Sequence, residues 1–214
     1  MPQMVRVHNF GVSSDGYAAG EGQSLERPFG HADPAVLLSW AGDTASWPNR
    51  TKPGGTRGID DYLVRDFHRN IGAEIMGRNK FGPERGPWAN EEWQGWWGPE
   101  PPFHTPVFVM TNYERPSFTL SDTTFHFVGG DPATVLKLAL EAADGKDVRL
   151  GGGANTVRQF LDAGLIDTLH VAVAPVELGT GSRLWGSSDE LLDRYHREVI
   201  TRPNGVAHHL FWRD

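Results

Sequence analysis

Two periods of apolar residues run along this chain. Val148 and Leu150 form a short apolar run that ends in Gly151, Gly152 and Gly153. Val157, Phe160, Leu161 and Leu165 then recur at helical spacing. The pattern predicts a strand, a glycine turn and a helix, with Gly164 as its stop. Further strands are predicted over residues 5–12, 73–76, 106–111, 125–128 and 169–174. Asp33 before Pro34 reads as a helix cap with proline in the first turn, opening a helix through Leu37, Leu38 and Trp40. Residues 61–70 read as a helix with Leu63 and Phe67 on one face. Asp131 and Pro132 open another, with Val135, Leu136, Ala139, Leu140 and Ala143 as its buried stripe and Gly145 as its end.

Near the C-terminus, residues 195–201 and 206–212 flank Pro203, Asn204 and Gly205, a hairpin signal. Strand and helix alternate up to that point. The expected class is α/β: a three-layer domain over residues 1–214, with a mainly parallel central sheet, an antiparallel C-terminal hairpin and helices on both faces. Residues 82–106, rich in Gly, Pro and Trp, are too long for a passive connection and read as an insertion loop. Trp88, Trp93, Trp96 and Trp97 in that loop could wall a flat heterocycle. The commoner arrangement is a loop's own small core, and that reading is preferred.

The triple glycine has two readings. Glycine lets the backbone approach a bound group closely, and a helix start offers unpaired N–H groups and a positive dipole end, which suits phosphate. Alternatively it is only a tight turn. Gly151, Gly153 and Thr156 nearly match the dinucleotide pattern G-x-G-x-x-G, but threonine takes the third place. Only about sixty residues follow, too few for the further βα units of a standard dinucleotide-binding domain. A Walker pattern is absent.

Composition narrows the chemistry. Without cysteine the chain has no disulfide, thiolate-metal site or cysteine nucleophile. The net charge of −7 argues against general nucleic-acid affinity. No apolar run approaches a bilayer span and the N-terminus lacks a signal-peptide core, so a cytoplasmic protein is expected. The nine histidines form no metal motif, and no metal is expected. No G-x-S-x-G elbow supports a hydrolase.

Four segments in order resemble the dihydrofolate reductase superfamily, specifically the reductase domain of bacterial riboflavin biosynthesis and its stand-alone relatives. Ser13-Ser14-Asp15-Gly16 is similar to the family's S-x-D-G segment. Ile75-Met76-Gly77-Arg78-Asn79-Lys80-Phe81 is similar to its G-R-x-T-aromatic segment. Residues 106–112 resemble the strand ending beside the adenosine end of the cofactor. Residues 151–161 and 164–181 are the most specific part. The resemblance spans nearly the whole chain.

The resemblance implies a dihydrofolate reductase-like fold and an NADPH-dependent reductase of a small heterocyclic or carbonyl substrate, pyrimidine- or pterin-like. The turn of Gly151, Gly152, Gly153, Ala154, Asn155 and Thr156 would hold the pyrophosphate. Gly77, Arg78, Asn79 and Lys80 would form a second phosphate-binding turn, with Lys80 replacing the usual threonine by a point charge without a capping hydroxyl. Thr111 and Asn112 are candidates for the ribose or its 2′-phosphate.

Asp15 is the candidate for an acid role, although Asp-Gly is also a turn dipeptide. Ser14, and Gln23 and Ser24 on a mobile loop, are candidate substrate contacts. Folate reductases carry an acidic residue on the first long helix. Residues 36–40 have none, which argues against dihydrofolate as substrate. The partner deaminase of the riboflavin pathway needs cysteine ligands and is excluded. The alternative is a nucleotide-binding protein of the same fold without catalysis. A homodimer is expected, because the apolar run 206–212 needs cover from a neighbouring strand or a second subunit.

Overall fold

The strands in chain order are β1 (Val5–Ser13), β2 (Tyr17–Ala19), β3 (Ile71–Gly77), β4 (Val107–Met110), β5 (Phe118–Leu120), β6 (Thr123–Val128), β7 (Asp147–Leu150), β8 (Thr168–Ala174), β9 (Ser182–Arg183), β10 (His196–Thr201) and β11 (Ala207–Trp212). The helices are α1 (Pro34–Leu37), α2 (Ser39–Gly42), α3 (Ile59–Arg65), α4 (Arg78–Phe81), α5 (Pro132–Ala142) and α6 (Ala154–Asp162). The structure is a computed structural model describing residues 2–48, 50 and 52–213.

Nine strands form one sheet in the order β10-β11-β8-β1-β7-β3-β4-β6-β5, with β2 and β9 paired separately. Every neighbour from β8 to β6 is parallel, while β10, β11 and β5 run antiparallel to their neighbours. The architecture is three-layered, with helices on both sheet faces.

The two faces are packed differently. On one, Val135, Leu136 and Ala139 of α5 and Val157, Phe160 and Leu161 of α6 meet Val5, Val7, Ala73, Ile75, Val148, Leu150, Leu169 and Val171. The other face carries two smaller clusters. Trp40, Leu63 and Val64 from α2 and α3 pack with Ala172, and Phe81 and Phe103 pack with Met76, Val107, Val109, Phe125 and Phe127. Strand alternation enforces this division, since Ile75 and Met76 are adjacent in sequence and face opposite ways.

Local chemistry explains the element ends. The Asp131 side chain accepts from the Thr134 N–H at 2.8 Å and Pro132 follows as the first helical residue. The helix α5 closes near Gly145, at φ +81°. In the C-terminal hairpin the Gly205 N–H donates to the Arg202 carbonyl, with Gly205 at φ +86°.

Three expectations are corrected. The helix read from Asp33 through Trp40 is two short helices, because Leu38 sits at φ −112°, ψ 11° between them. The helix read over 61–70 ends at Arg65 and continues only as a 3-10 turn over Asp66–His68; Asn70 then takes φ +60° into β3. The run 206–212 is not an edge. It pairs with β8 on one side and β10 on the other, leaving β10 as the edge strand.

Candidate active site

A cavity of about 860 Å³ opens above the C-terminal ends of β1, β3, β4 and β7. This is where open α/β sheets place their ligands. Gly77, Arg78, Asn79, Lys80, Thr111, Asn112, Gly151, Gly153, Ala154, Asn155 and Thr156 all line it. Segments far apart in sequence are thus brought together.

The first wall is the glycine turn. The Gly151 N–H donates to the Ile75 carbonyl at 2.8 Å and the Gly77 N–H to the Gly152 carbonyl at 2.7 Å. The two turns expected to bind phosphate are therefore hydrogen-bonded to each other. No side chain caps the start of α6, so its first N–H groups face the cavity end without a protein cap. Gly152 does not line the cavity. It lies at φ +107°, and a Cβ there would meet the Phe10 ring at 2.8 Å. The Gly152–Gly153 peptide is cis. A Cβ on Gly77 would collide with the Thr156 hydroxyl, and one on Gly151 with Glu74 and Lys80. Glycine is needed here because the two turns are in contact.

Arg78 forms the second wall. Its guanidinium stacks on Trp88 at 3.8 Å, with Tyr113 at 5.7 Å, and Nη1 donates to the Gly86 carbonyl. Nε and Nη2 are buried without a partner among the described residues. Orphaned guanidinium N–H groups beside a cavity are a donor site suited to an anion. Burial holds the Arg78 pKa below its ordinary value, partly offset by Glu84.

The tryptophan loop forms the small core expected of it and also reaches the cavity. Trp88, Trp93 and Trp97 pack around Phe81 as a small core, while Trp96 and Trp97 line the cavity. Indole N–H groups fix the loop: Trp93 Nε1 donates to the Phe81 carbonyl and Trp96 Nε1 to that of Lys80, each at 2.8 Å.

Asp15, Ser14 and Ser24 do not line the cavity. Asp15 Oδ1 accepts from Ser13 Oγ at 2.6 Å and from the Leu178 N–H at 3.1 Å, and Oδ2 from the Gly179 N–H at 2.7 Å. Desolvation pushes its pKa up, but these hydrogen bonds win and hold it below the usual carboxylate value. The geometry is that of a loop tie. Ser14 Oγ donates to the Val176 carbonyl and Ser24 Oγ to Glu26. Gln23 does line the cavity, where its Nε2 donates to the Pro28 carbonyl.

A group that the sequence reading missed sits on the sheet itself. Successive strands β11, β8, β1, β7 and β3 place His208, His170, His8, Arg149 and Glu74 on the face opposite α5 and α6. His170 Nε2 meets His208 Nδ1 at 3.0 Å, and His208 Nε2 meets Asp60 at 3.0 Å. Arg149 Nη1 donates to Glu74 Oε2 at 2.5 Å and Lys80 Nζ to Oε1 at 3.1 Å. Desolvation, aided by Arg6 and Arg149, lowers the His8 pKa to about 3. Burial and the neighbouring His208 push His170 well below its ordinary value. The available signal was alternation: Val5-Arg6-Val7-His8 and Val148-Arg149-Leu150 put charge at every second place of strands that a parallel sheet buries on both faces. Among the described residues no cluster could hold a metal ion, and no helix is long and apolar enough to cross a membrane.

Residues 7–202 match the RibD C-terminal domain family. The chain belongs to that family. Its fold is shared by a putative riboflavin biosynthesis protein from Shewanella sp. PV-4, at TM-score 0.56 and 20% identity over 100% of this chain and 99% of that one. A pyrimidine reductase-like protein from Corynebacterium diphtheriae aligns at TM-score 0.54 and 15% identity, covering 100% and 92%. Dihydrofolate reductase from Enterococcus faecalis, complexed with NADP(H), aligns at TM-score 0.52 and 10% identity, covering 99% and 96%. No curated protein matches the sequence. In this RibD C-terminal-type chain the turns at residues 77–80 and 151–156 flank one cavity, and Lys80 in the first of them is paired with a buried carboxylate.

Proposed function

We propose that this protein is an NADPH-dependent reductase of a small heterocyclic or carbonyl substrate, with chemistry of the pyrimidine reductase kind. The observation that carries the reading is Arg78. It is stacked, half-buried and short of two hydrogen-bond acceptors, lining a cavity whose other walls are the uncapped start of α6 and the Thr111–Asn112 segment. A phosphate on an adenosine ribose would satisfy it, and the glycine turn leaves room for a pyrophosphate. The residues therefore fit NADPH. When bound, its nicotinamide supplies the hydride. The protein's tasks are to hold the two ends of the cofactor, wall off water with the tryptophan loop, and present the substrate from the Lys80 side.

The alternative is a nucleotide-binding protein without catalysis. Its supporting observation is that Asp15, the candidate acid, is occupied as a loop tie. Calorimetric titration of NADPH and NADH tests binding, and loss of reduced-nicotinamide absorbance with pyrimidine, pterin and ketone substrates tests turnover. Arg78→Ala is expected to weaken NADPH by about tenfold or more and NADH less. Gly152→Val is expected to abolish cofactor binding, because valine at φ +107° against Phe10 distorts the turn. No binding of either nucleotide at millimolar concentration rejects the reading. We also propose a homodimer, with the open edge of β10 as its pairing strand; light scattering at micromolar concentration reads it.

A further inference from the structure

The inner end of the cavity is made of hydrogen-bond donors. Lys80 and Arg149 both line it, and both point their charge at one carboxylate, Glu74, which does not. Two cations share one anion, so the cluster carries a net charge of +1, and the cavity meets the cations rather than the carboxylate. Glu74 is 2% exposed and Arg149 is 4% exposed. The Lys80 side chain is 25% exposed and lines the cavity, so the excess charge is hydrated only in part, and a negative group in the cavity would compensate it.

The unused hydrogen bonds agree. Arg149 lies over the Phe67 ring at 3.4 Å, and its Nε has no partner among the described residues. His8 also lines the cavity. Its Nε2 accepts from Arg6 Nε at 3.1 Å, so the neutral ring carries its proton on Nδ1, and Nδ1 is buried without a partner. Lys80 has three N–H bonds and one protein acceptor. Glu84 is the acidic residue lining the cavity, and it belongs to the Arg78 end. Around Lys80, Arg149 and His8 the wall thus offers unpaired donors, with Trp40 and Phe67 as apolar flanks; the surplus positive charge sits at Lys80 and Arg149, since Arg6 beside His8 is paired with both Asp66 and Asp147.

We propose that this inner end is the substrate subsite and that it selects a planar group bearing an anionic oxygen, a carboxylate or an ionised enol, anchored by Lys80 and Arg149. This rests on the reductase reading for the word substrate, but the binding of an anion does not depend on NADPH.

The test uses benzoate as the carboxylate probe, 4-nitrophenolate as the ionised-enol probe and neutral benzamide as the control. Each is titrated into the purified protein without nucleotide, by calorimetry and by quenching of tryptophan fluorescence. At least one of the two anions is expected to bind about tenfold or more tighter than benzamide; which one tells the source of the charge. Lys80→Met leaves Glu74 paired with Arg149 and takes the cluster to neutrality. It is expected to cut anion affinity about tenfold and to leave benzamide within about twofold, while Lys80→Arg restores anion binding. Arg78→Ala, whose guanidinium turns to Trp88 and the Gly86 carbonyl rather than to Glu74, is expected to leave anion affinity unchanged.

Benzamide binding as tightly as both anions, or no loss of anion binding in folded Lys80→Met, overturns the proposal. So does an equal loss in Arg78→Ala, which would place the anion at the cofactor end. Should Lys80→Met not fold, the anion-to-amide ratio of the unaltered protein decides. Failure of NADPH to bind with anion selectivity intact would reject the cofactor reading alone.

Discussion

The two faces of the central sheet are made from the same strands and follow different rules. Toward α5 and α6 the packing is mainly aliphatic and aromatic, with Thr156 against Gly77 as its buried polar exception: Val7, Ile75, Val148, Leu150, Leu169 and Val171 pack with Val135, Val157 and Phe160. Toward α2, α3 and the tryptophan loop the same strands carry His8, Glu74, Arg149, His170 and His208. Apolar packing is tolerant of composition and sets the fold; buried charge stabilises little and requires each partner in place. The sheet keeps its largest apolar core on one side and its buried charge on the other, so that damage to each should read out differently.

The largest effect is expected on the apolar side. Phe160 is fully buried between α6 and the sheet. Phe160→Ala should cost about 3–5 kcal/mol in chemical denaturation, while the protein that remains folded binds NADPH and anions as before. A small stability loss, or a loss of binding in folded protein, would show that the two sides are not separate.

That division also decides what the sequence made legible. The stripe on α5, the glycine turn before α6 and the C-terminal hairpin all announce themselves through local periodicity or turn chemistry. The cofactor-side residues Gly77, Arg78, Thr111 and Asn155 were reached through motif order, and they line one cavity. The polar stripe was not seen, because each member is a single residue on its own strand and only the parallel register brings Glu74 beside Arg149. The same locality misled for residues 33–40 and 61–70. There a good cap and an apolar stripe predict a full helix, but Leu38 and Asn70 leave helical geometry so that short segments can cover the sheet. Ser14 and Ser24 are polar residues near the right motifs whose hydroxyls are taken by local partners.

A middle-sized effect should come from acid on the polar side. His8 has a folded pKa of about 3, and His170 and His208 are also lowered, all chiefly by burial. In the unfolded chain each takes a proton near pH 6.5. Their contribution is therefore complete above about pH 6.5 and is lost as the pH falls toward the folded values. The slope approaches about 1.4 kcal/mol per pH unit for each histidine. Between pH 7 and pH 5 His8 should account for a loss of about 2 kcal/mol in unfolding free energy, with His170 and His208 adding to it in the same direction, before the carboxylates begin to protonate. In His8→Gln the slope should be shallower by one group. A flat profile across that window would mean that the histidines are hydrated and that the polar side is an ordinary wet surface.

The smallest effect separates a tie from an acid. Asp15 lies on neither packed face; it joins the loop after β1 to the Leu178–Gly179 backbone through two N–H donors and Ser13. Asn has the same shape but no charge, and one of its two terminal atoms is a donor that would face a donor. Asp15→Asn should therefore cost about 1 kcal/mol of stability, with NADPH affinity within about twofold. A general acid behaves in the opposite way. Its loss would leave the denaturation midpoint unmoved and lower turnover by about a hundredfold or more, with a limb missing from the pH–rate profile. Measuring midpoint and turnover on the same Asp15→Asn preparation places the residue with the scaffold or with the chemistry. Only the second result would extend the reacting surface beyond the polar side of the sheet.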